Sequence, residues 1–292
     1  MIDDSLETYR DVIVRNFPDL VQSRFELATA GWHSIAVDVD DRLIFKFPRH
    51  EVAERALRRE AALLAAIRPS TEMPVPDLTI HDGPPLFSRH EKLRGDHLVA
   101  AEYDELPDAA RMDLAARLGR FYADLHRIPA ATMIAAGARP IEAWLAPETI
   151  RAKALPVLPA ALARYGAETL DAYEEMAPDL YGTVYGFFDG HGWNMAFDHQ
   201  RKTLTGMYDF ADSGIGPLHQ EFIYSNLISP DLTTRIVTAY ETETRRSLDR
   251  RRIDVLSGMH RLTELAELAD DPEQAPEMIR YLAIWVTRRY GA

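Results

Sequence analysis

No cysteine occurs in the 292 residues of this chain. Disulfides and thiolate metal sites are therefore excluded, and the composition fits a reducing compartment. Glycine-rich phosphate signatures are also missing. Neither G-x-G-x-x-G nor G-x-x-x-x-G-K-[ST] is present, which counts against a dinucleotide-binding crevice and a P-loop. There is no G-x-S-x-G to form the nucleophile elbow of a hydrolase. The ten histidines include no H-E-x-x-H, because His90-Glu91 runs on into Lys92-Leu93-Arg94. His191, His199 and His219 fit no zinc spacing and read as loop residues. No apolar run approaches the roughly 20 residues of a membrane-spanning helix. The nearest, residues 61–67, belongs to an amphipathic helix. The start, Met1-Ile2-Asp3-Asp4, is acidic and lacks a signal-peptide profile, so the expected location is cytoplasmic. Internal repeats and low-complexity segments are absent.

What is present is acidic and ordinary for a soluble globular chain. Lys and Arg number 33 against 46 Asp and Glu, a net charge of −13. That balance disfavours nucleic acid, which is bound through cations on phosphates. It suits a cationic small molecule at an acidic cleft, and it equally serves solubility alone. The length suffices for one large domain or two lobes.

The chemistry is concentrated in residues 189–212. Asp189-Gly190-His191-Gly192-Trp193-Asn194 has the form D-x-x-x-x-N, and Asp209-Phe210-Ala211-Asp212 follows as D-F-x-D. Phosphoryl transfer uses such a set: one carboxylate to orient the attacking hydroxyl, and an amide oxygen and a second carboxylate to hold Mg²⁺ on the phosphates. Mg²⁺ takes hard oxygen ligands and keeps several waters, so one Asn and one Asp suffice from the protein. Residues 181–188 read as a strand, and 193–197 and 204–208 as a hairpin closed by the polar turn 198–202. Such a hairpin sets Asn194 beside Asp209, since the start of one antiparallel strand neighbours the end of its partner. The plainer reading is that Asp and Asn near Gly are turn formers.

The first third adds weight. Residues 43–47 (LIFKF) read as a strand ended by Pro48, with Lys46 on the face opposite Leu43, Phe45 and Phe47. A helix over residues 50–67 follows, with Leu57, Ala61, Leu64 and Ile67 as its apolar stripe and Glu60 at its edge. Glu60 either pairs with Lys46 or is solvated and pairs with Arg55, Arg58 or Arg59. Upstream, residues 25–30 and 33–39 read as strands around Gly31-Trp32. Residues 107–128 form a long helix, and further helices are expected at 148–164, 168–176, 217–226, 231–246, 251–270 and 273–290. A strand-rich first part and a helical second part make an α+β architecture with a ligand cleft between them.

The order of these pieces, a hairpin with Gly31, the strand with Lys46, the helix with Glu60, then D-x-x-x-x-N and D-F-x-D, resembles the aminoglycoside phosphotransferase family. That family shares the protein-kinase-like bilobal fold. The resemblance spans residues 25–224 and divides the chain into a nucleotide-binding lobe, residues 1–94, and a helical lobe, residues 95–292, with the catalytic loop and acceptor site. It implies a small-molecule kinase that moves the γ-phosphoryl group of ATP or GTP to an acceptor hydroxyl with Mg²⁺. In that frame Asp189 is the catalytic carboxylate, and Asn194 and Asp209 are the Mg²⁺ ligands. Lys46 meets the nucleotide phosphates and Glu60 orients it. Residues 88–93 form the hinge against the base, with Ser88, Glu91 and Leu93 as nucleotide contacts. Glu221 braces the catalytic loop.

Two positions depart from the family pattern. Phe187 stands where the family has the His of H-x-D, with His191 as a partial substitute, and Ala211 stands where Gly often follows D-F. These motivate a second reading, a kinase-like protein that binds nucleotide without transferring phosphate. For a cationic acceptor, Asp212, Glu221, Glu264, Glu267 and Asp270 are candidate partners. Trp193, Tyr224 and Trp285 can stack on a sugar or hold a cation, against the plainer reading that each belongs to the core.

Overall fold

The computed structural model describes residues 5–28 and 34–291. Gly31, Trp32 and the ends of the two strands flanking them lie outside the described residues. A helix, α1 (Leu6–Asn16), opens the chain under a Ser5 cap, followed by β1 (Phe25–Ala28), β2 (Ser34–Val39) and β3 (Leu43–Pro48). Next come α2 (Glu51–Ile67), β4 (Thr79–His81) and β5 (Phe87–Glu91). These five strands form one antiparallel sheet in the order β1-β2-β3-β5-β4.

The alternation of β3 assigns the two faces of the sheet. Leu43, Phe45 and Phe47 join Ile35, Val37, Val39 and Phe87 in a core closed by Tyr9 and Ile13 of α1. Directly paired residues share a face. Ala36, Lys46 and Ser88 therefore lie in one row on the opposite face, and Asp38, Ile44 and His90 in the next. α1 was not evident from the sequence, although Ser5, Leu6, Tyr9 and Ile13 carry a cap and a helical stripe.

Beyond Glu91 the chain is mainly helical: α3 (Ala100–Glu105), α4 (Asp108–Arg127), α5 (Ala130–Ala135), α6 (Pro147–Lys153) and α7 (Ala160–Glu174). The expected helix over 148–164 is two helices. Pro156 lies in a single 3₁₀ turn after α6, and Pro159 caps α7, so no continuous ladder can cross them. α7 in turn absorbs most of the helix expected at 168–176. Two small antiparallel pairs follow. β6 (Thr183–Gly186) pairs with β9 (Gly214–Pro217), and β7 (Met195–Asp198) pairs with β8 (Thr203–Met207). A 3₁₀ segment, Leu218–Leu227, leads into α8 (Pro230–Thr244), α9 (Arg250–Leu268) and α10 (Ala275–Tyr290). Their main core gathers α4, α8 and the two small sheets around Leu118, Phe121, Tyr122, Phe187, Phe197, Phe210 and Phe222. Trp285 belongs to a second helical core, whereas Trp193 is 60% exposed. No helix among the described residues is long and apolar enough to cross a membrane.

Candidate active site

On the sheet, the Lys46 ammonium lies 3.4 Å from Glu60 Oε1, and the side chain of Glu60 is almost wholly buried. Arg55 pairs with Glu51, and Arg58 with Asp82, so neither competes for Glu60. The same Glu60 oxygen accepts the backbone N–H of Phe210 at 3.3 Å. One carboxylate thus ties the lysine of β3 to the D-F-x-D segment 150 residues later. Burial disfavours the charge on Lys46, but the carboxylates of Glu60 and Asp209 outweigh it and hold the ammonium's pKa above its usual value.

In the D-x-x-x-x-N segment, both oxygens of Asp189 are held. Asn194 Nδ2 donates to Oδ2 at 2.5 Å, and His191 Nε2 lies 3.1 Å from Oδ1. Asn194 Nδ2 also donates to the Asp189 carbonyl at 3.1 Å. Its amide oxygen is thereby turned away from Asp189. A 3₁₀ turn, Gly192–Asn194, replaces the start of the expected strand, and β7 begins one residue later. The hairpin nevertheless forms: Met195 pairs with Met207, and Tyr208 N donates to the Asn194 carbonyl at 3.0 Å. Asn194 and Asp209 consequently sit on adjoining strand ends. Desolvation lowers the pKa of His191, but its hydrogen bond to Asp189 and the charges of Asp189 and Asp209 reverse that shift, and the net result is upward.

The local backbone is held in uncommon conformations. Phe188 (φ 53°) and Asp209 (φ 63°) are both left-handed without being glycine, a state that persists only where the surroundings enforce it. Glu221 does this for Phe188. Fully buried, it accepts Phe187 N–H at 2.8 Å and Phe188 N–H at 2.9 Å, and its Oε2 lies 3.3 Å from His126 Nε2. His126 continues to the Tyr240 hydroxyl at 2.9 Å. Glu221 cannot reach an acceptor from there, which removes it from the possible ammonium partners. Gly192 is obligatory for packing, since a Cβ there would run into the Leu98 carbonyl.

Phe187 is buried against Phe210, with ring centroids 4.8 Å apart, and against Phe121 at 6.0 Å. Its side chain packs beneath the D-F-x-D phenylalanine, while Glu221 and His126 hold the loop backbone. His191 lies on the other side of Asp189 and contacts its carboxylate. His126 is the residue that sequence reasoning missed. Its only signal was a polar residue four positions after Tyr122 on the buried face of α4.

The expected hinge residues are not equivalent. Ser88 lies inside β5, cross-strand from Lys46, and is fully buried. Glu91 ends β5, opposite Leu43, and is exposed. Leu93 approaches Gly206 of β8, so the chain crosses to the helical part there. Lys92 between them is clamped to Asp38 at 2.6 Å and Asp41 at 2.5 Å. On the sheet face that carries Lys46, Asp38 Oδ1, Ser88 Oγ and His90 Nδ1 are buried without a hydrogen-bond partner. Burial, reinforced by the Lys46 charge, pushes the His90 imidazole down to about 3, so it is neutral at pH 7.

A family model described as "Phosphotransferase enzyme family" matches residues 24–254. The chain belongs to this family. It is a phosphotransferase of the hydroxyl-acceptor, small-molecule kinase type. No curated protein sequence matches it. Among solved structures, it is similar to the GDP complex of a point mutant of aminoglycoside 2'-phosphotransferase-IIIa, with TM-score 0.83 and 21% identity over 98% of this chain and 99% of that one. The GDP and kanamycin complex of the same type of enzyme gives TM-score 0.78 at 21% identity, covering 98% and 100%. Macrolide 2'-phosphotransferase MphH from Brachybacterium faecium gives 0.67 at 18% identity, covering 96% and 98%. These likenesses establish the kinase-like α+β fold of this phosphotransferase.

Among the described residues, no group of three or more His, Cys, Asp or Glu is placed to hold a metal ion. The Asp209 carboxylate and the Asn194 amide remain as a pair of hard oxygen donors on adjoining strand ends, which suits a cation that fills its shell with phosphate and water.

Proposed function

We propose that this phosphotransferase uses ATP or GTP with Mg²⁺ to phosphorylate a hydroxyl of a cationic, aminoglycoside-like acceptor in the cytoplasm. The observation that carries the reading is the Glu60 bridge. It draws Lys46 of the sheet and the D-F-x-D segment to one point, beside the Asp189–Asn194 pair. Residues 1–94 act as the nucleotide lobe and residues 95–292 as the catalytic and acceptor lobe. The buried, unpartnered atoms of Asp38, Ser88 and His90 support a polar ligand beneath the sheet. Glu91 and Leu93 flank that ligand where β5 gives way to the crossing segment.

Asp189 aligns the acceptor hydroxyl, and its carboxylate takes the proton as the oxygen attacks the γ-phosphorus. The new O–P bond forms as the bond to the β-phosphate oxygen breaks, and the nucleoside diphosphate leaves. Lys46, held by Glu60, offsets the charge on the phosphates. Asp209 and Asn194 would hold Mg²⁺, which when bound supplies further neutralisation of the phosphates. Positioning and electrostatics carry most of the rate.

The acceptor side supports a cation. Tyr224 and His260 face each other at 5.3 Å, and the charge of Asp189 is felt at both. Glu264 lies 3.7 Å from His260 Nδ1 and is itself paired with Arg261 at 2.8 Å, and its charge and that of Glu142 act on Glu267. Partial burial and then the charges of Glu142 and Glu264 raise the carboxyl pKa of Glu267, a strain that an ammonium group would relieve. Asp270 is exposed and paired with Lys153. The similar kanamycin complex is consistent with this acceptor class and with a role in antibiotic resistance.

The test is a phosphoryl-transfer screen with ATP and GTP plus Mg²⁺ against aminoglycosides, macrolides, choline and neutral sugars. Transfer to aminoglycosides is expected. Transfer confined to neutral acceptors would overturn the cationic assignment, and magnesium-dependent nucleotide binding with no transfer would favour a binding protein.

A further inference from the structure

Trp193 presents a large aromatic surface to solvent inside the catalytic loop, 60% exposed. Its indole lies 4.6 Å from the His97 imidazole, tilted by 53°. His97 Nδ1 is in turn 2.7 Å from the Tyr208 hydroxyl, with the two rings 6.2 Å apart. The positions are informative. Trp193 immediately precedes Asn194 and Tyr208 immediately precedes Asp209, so two rings of the cluster flank the two candidate metal ligands. The third, His97, comes from the segment that crosses from the sheet. That segment is fixed to the loop and hairpin, with Leu98 N donating to the Gly192 carbonyl at 3.1 Å and Asp96 N to the Phe197 carbonyl at 3.0 Å. The hydrogen bond to Tyr208 restrains the His97 ring that Trp193 rests on.

We propose that Trp193, supported by His97 and Tyr208, is a stacking platform for the nucleoside part of the nucleotide. The inference rests on the phosphoryl-transfer reading. With the phosphates between Lys46 and the Asn194–Asp209 pair, the nucleoside extends either toward the crossing segment or toward Tyr224 and His260. Under the proposed function the second direction belongs to the acceptor, on the side where His260 meets Glu264. The aromatic shelf runs in the first direction. Stacking uses the π-face of a base or the C–H face of a ribose, so the platform serves ATP and GTP alike.

The experiment is a direct binding titration of ATP and GTP to the full chain, with magnesium tripolyphosphate as a competitor that has phosphates and no nucleoside. Trp193→Ala is expected to weaken ATP and GTP about ten-fold each, within the range of one lost stacking partner. Tripolyphosphate should bind as to the wild type, and Trp193→Tyr should recover most of the nucleotide affinity. Equal weakening of nucleotide and tripolyphosphate would overturn the proposal by showing that Trp193 acts through Asn194. Unchanged nucleotide affinity with a raised KM for the acceptor would overturn it in favour of the acceptor side. A wild type that binds tripolyphosphate and nucleotide equally well would overturn it too. A wild type that binds neither would instead remove the phosphoryl-transfer reading beneath it.

Discussion

Two buried glutamates anchor the two halves of the candidate site, and they do so by different means. Glu60 faces a cation: Lys46 sits 3.4 Å away, with one backbone N–H as a second partner. Glu221 faces the backbone: the consecutive N–H groups of Phe187 and Phe188, and His126, converge on it. The first arrangement connects two parts of the molecule and sets the position of a charge. The second fixes the path of the chain where Phe188 adopts a left-handed conformation. A carboxylate that orders another side chain can be changed with the fold largely intact, whereas one that satisfies buried main-chain donors cannot.

The widest separation between the two should come from Glu221→Ala. It strands two buried N–H groups and His126 together, and a loss of about 3–5 kcal/mol in urea unfolding is expected, in line with breaking a buried charged network. A cost under about 1 kcal/mol would break the comparison. Glu60→Gln is the counterpart. Its amide oxygen still accepts from Phe210, so stability should change by no more than about 1 kcal/mol, while kcat/KM falls on the order of 100-fold because Lys46 loses its partner charge. Steady-state kinetics beside unfolding curves would separate the two effects.

Acidity sharpens the contrast further. His90, beneath the sheet, has its pKa lowered to about 3 by burial and the Lys46 charge. Between about 6.5 and about 3 the unfolded chain therefore binds a proton that the folded chain refuses, and stability falls as pH falls. His90→Leu should flatten that acid limb. His191, on the loop, has its pKa raised through Asp189. Its contribution is present below its unfolded value near 6.5 and is lost as pH rises through the folded pKa. His191→Asn should flatten a slope on the alkaline side, a smaller effect because the group is partly exposed. Acid and alkaline slopes both insensitive to these substitutions would remove the electrostatic difference between the two sides.

The same contrast explains what the sequence disclosed. The strand with Lys46, the helix with Glu60 and the hairpin linking Asn194 to Asp209 are each set by local periodicity, so they could be read directly. The choice of Lys46 over Arg55, Arg58 or Arg59 as the partner of Glu60 needed the sheet and helix in place. Glu221 was suggested only by the family resemblance. His126 was missed because its partners, Glu221 and Tyr240, are 95 and 114 residues away and no local pattern joins them. The break between α6 and α7 was legible in Pro156 and Pro159, neither of which fits inside a continuous helical ladder. Trp193 ran against the general tendency of tryptophan to be buried, and an exposed aromatic next to a metal-ligand candidate is visible only once the loop is folded.

The central claim is that Asp189 handles the acceptor hydroxyl while Lys46, Asn194 and Asp209 handle the phosphates. The most direct measurement is magnesium-dependent ATP and GTP affinity by calorimetry, alongside turnover, for the wild type and Asp189→Ala. The account predicts that turnover falls by at least about 1,000-fold, as expected for loss of an essential orienting group, with nucleotide affinity within about three-fold of wild type, under 1 kcal/mol. Parallel loss of both, or turnover that survives the substitution, would contradict it.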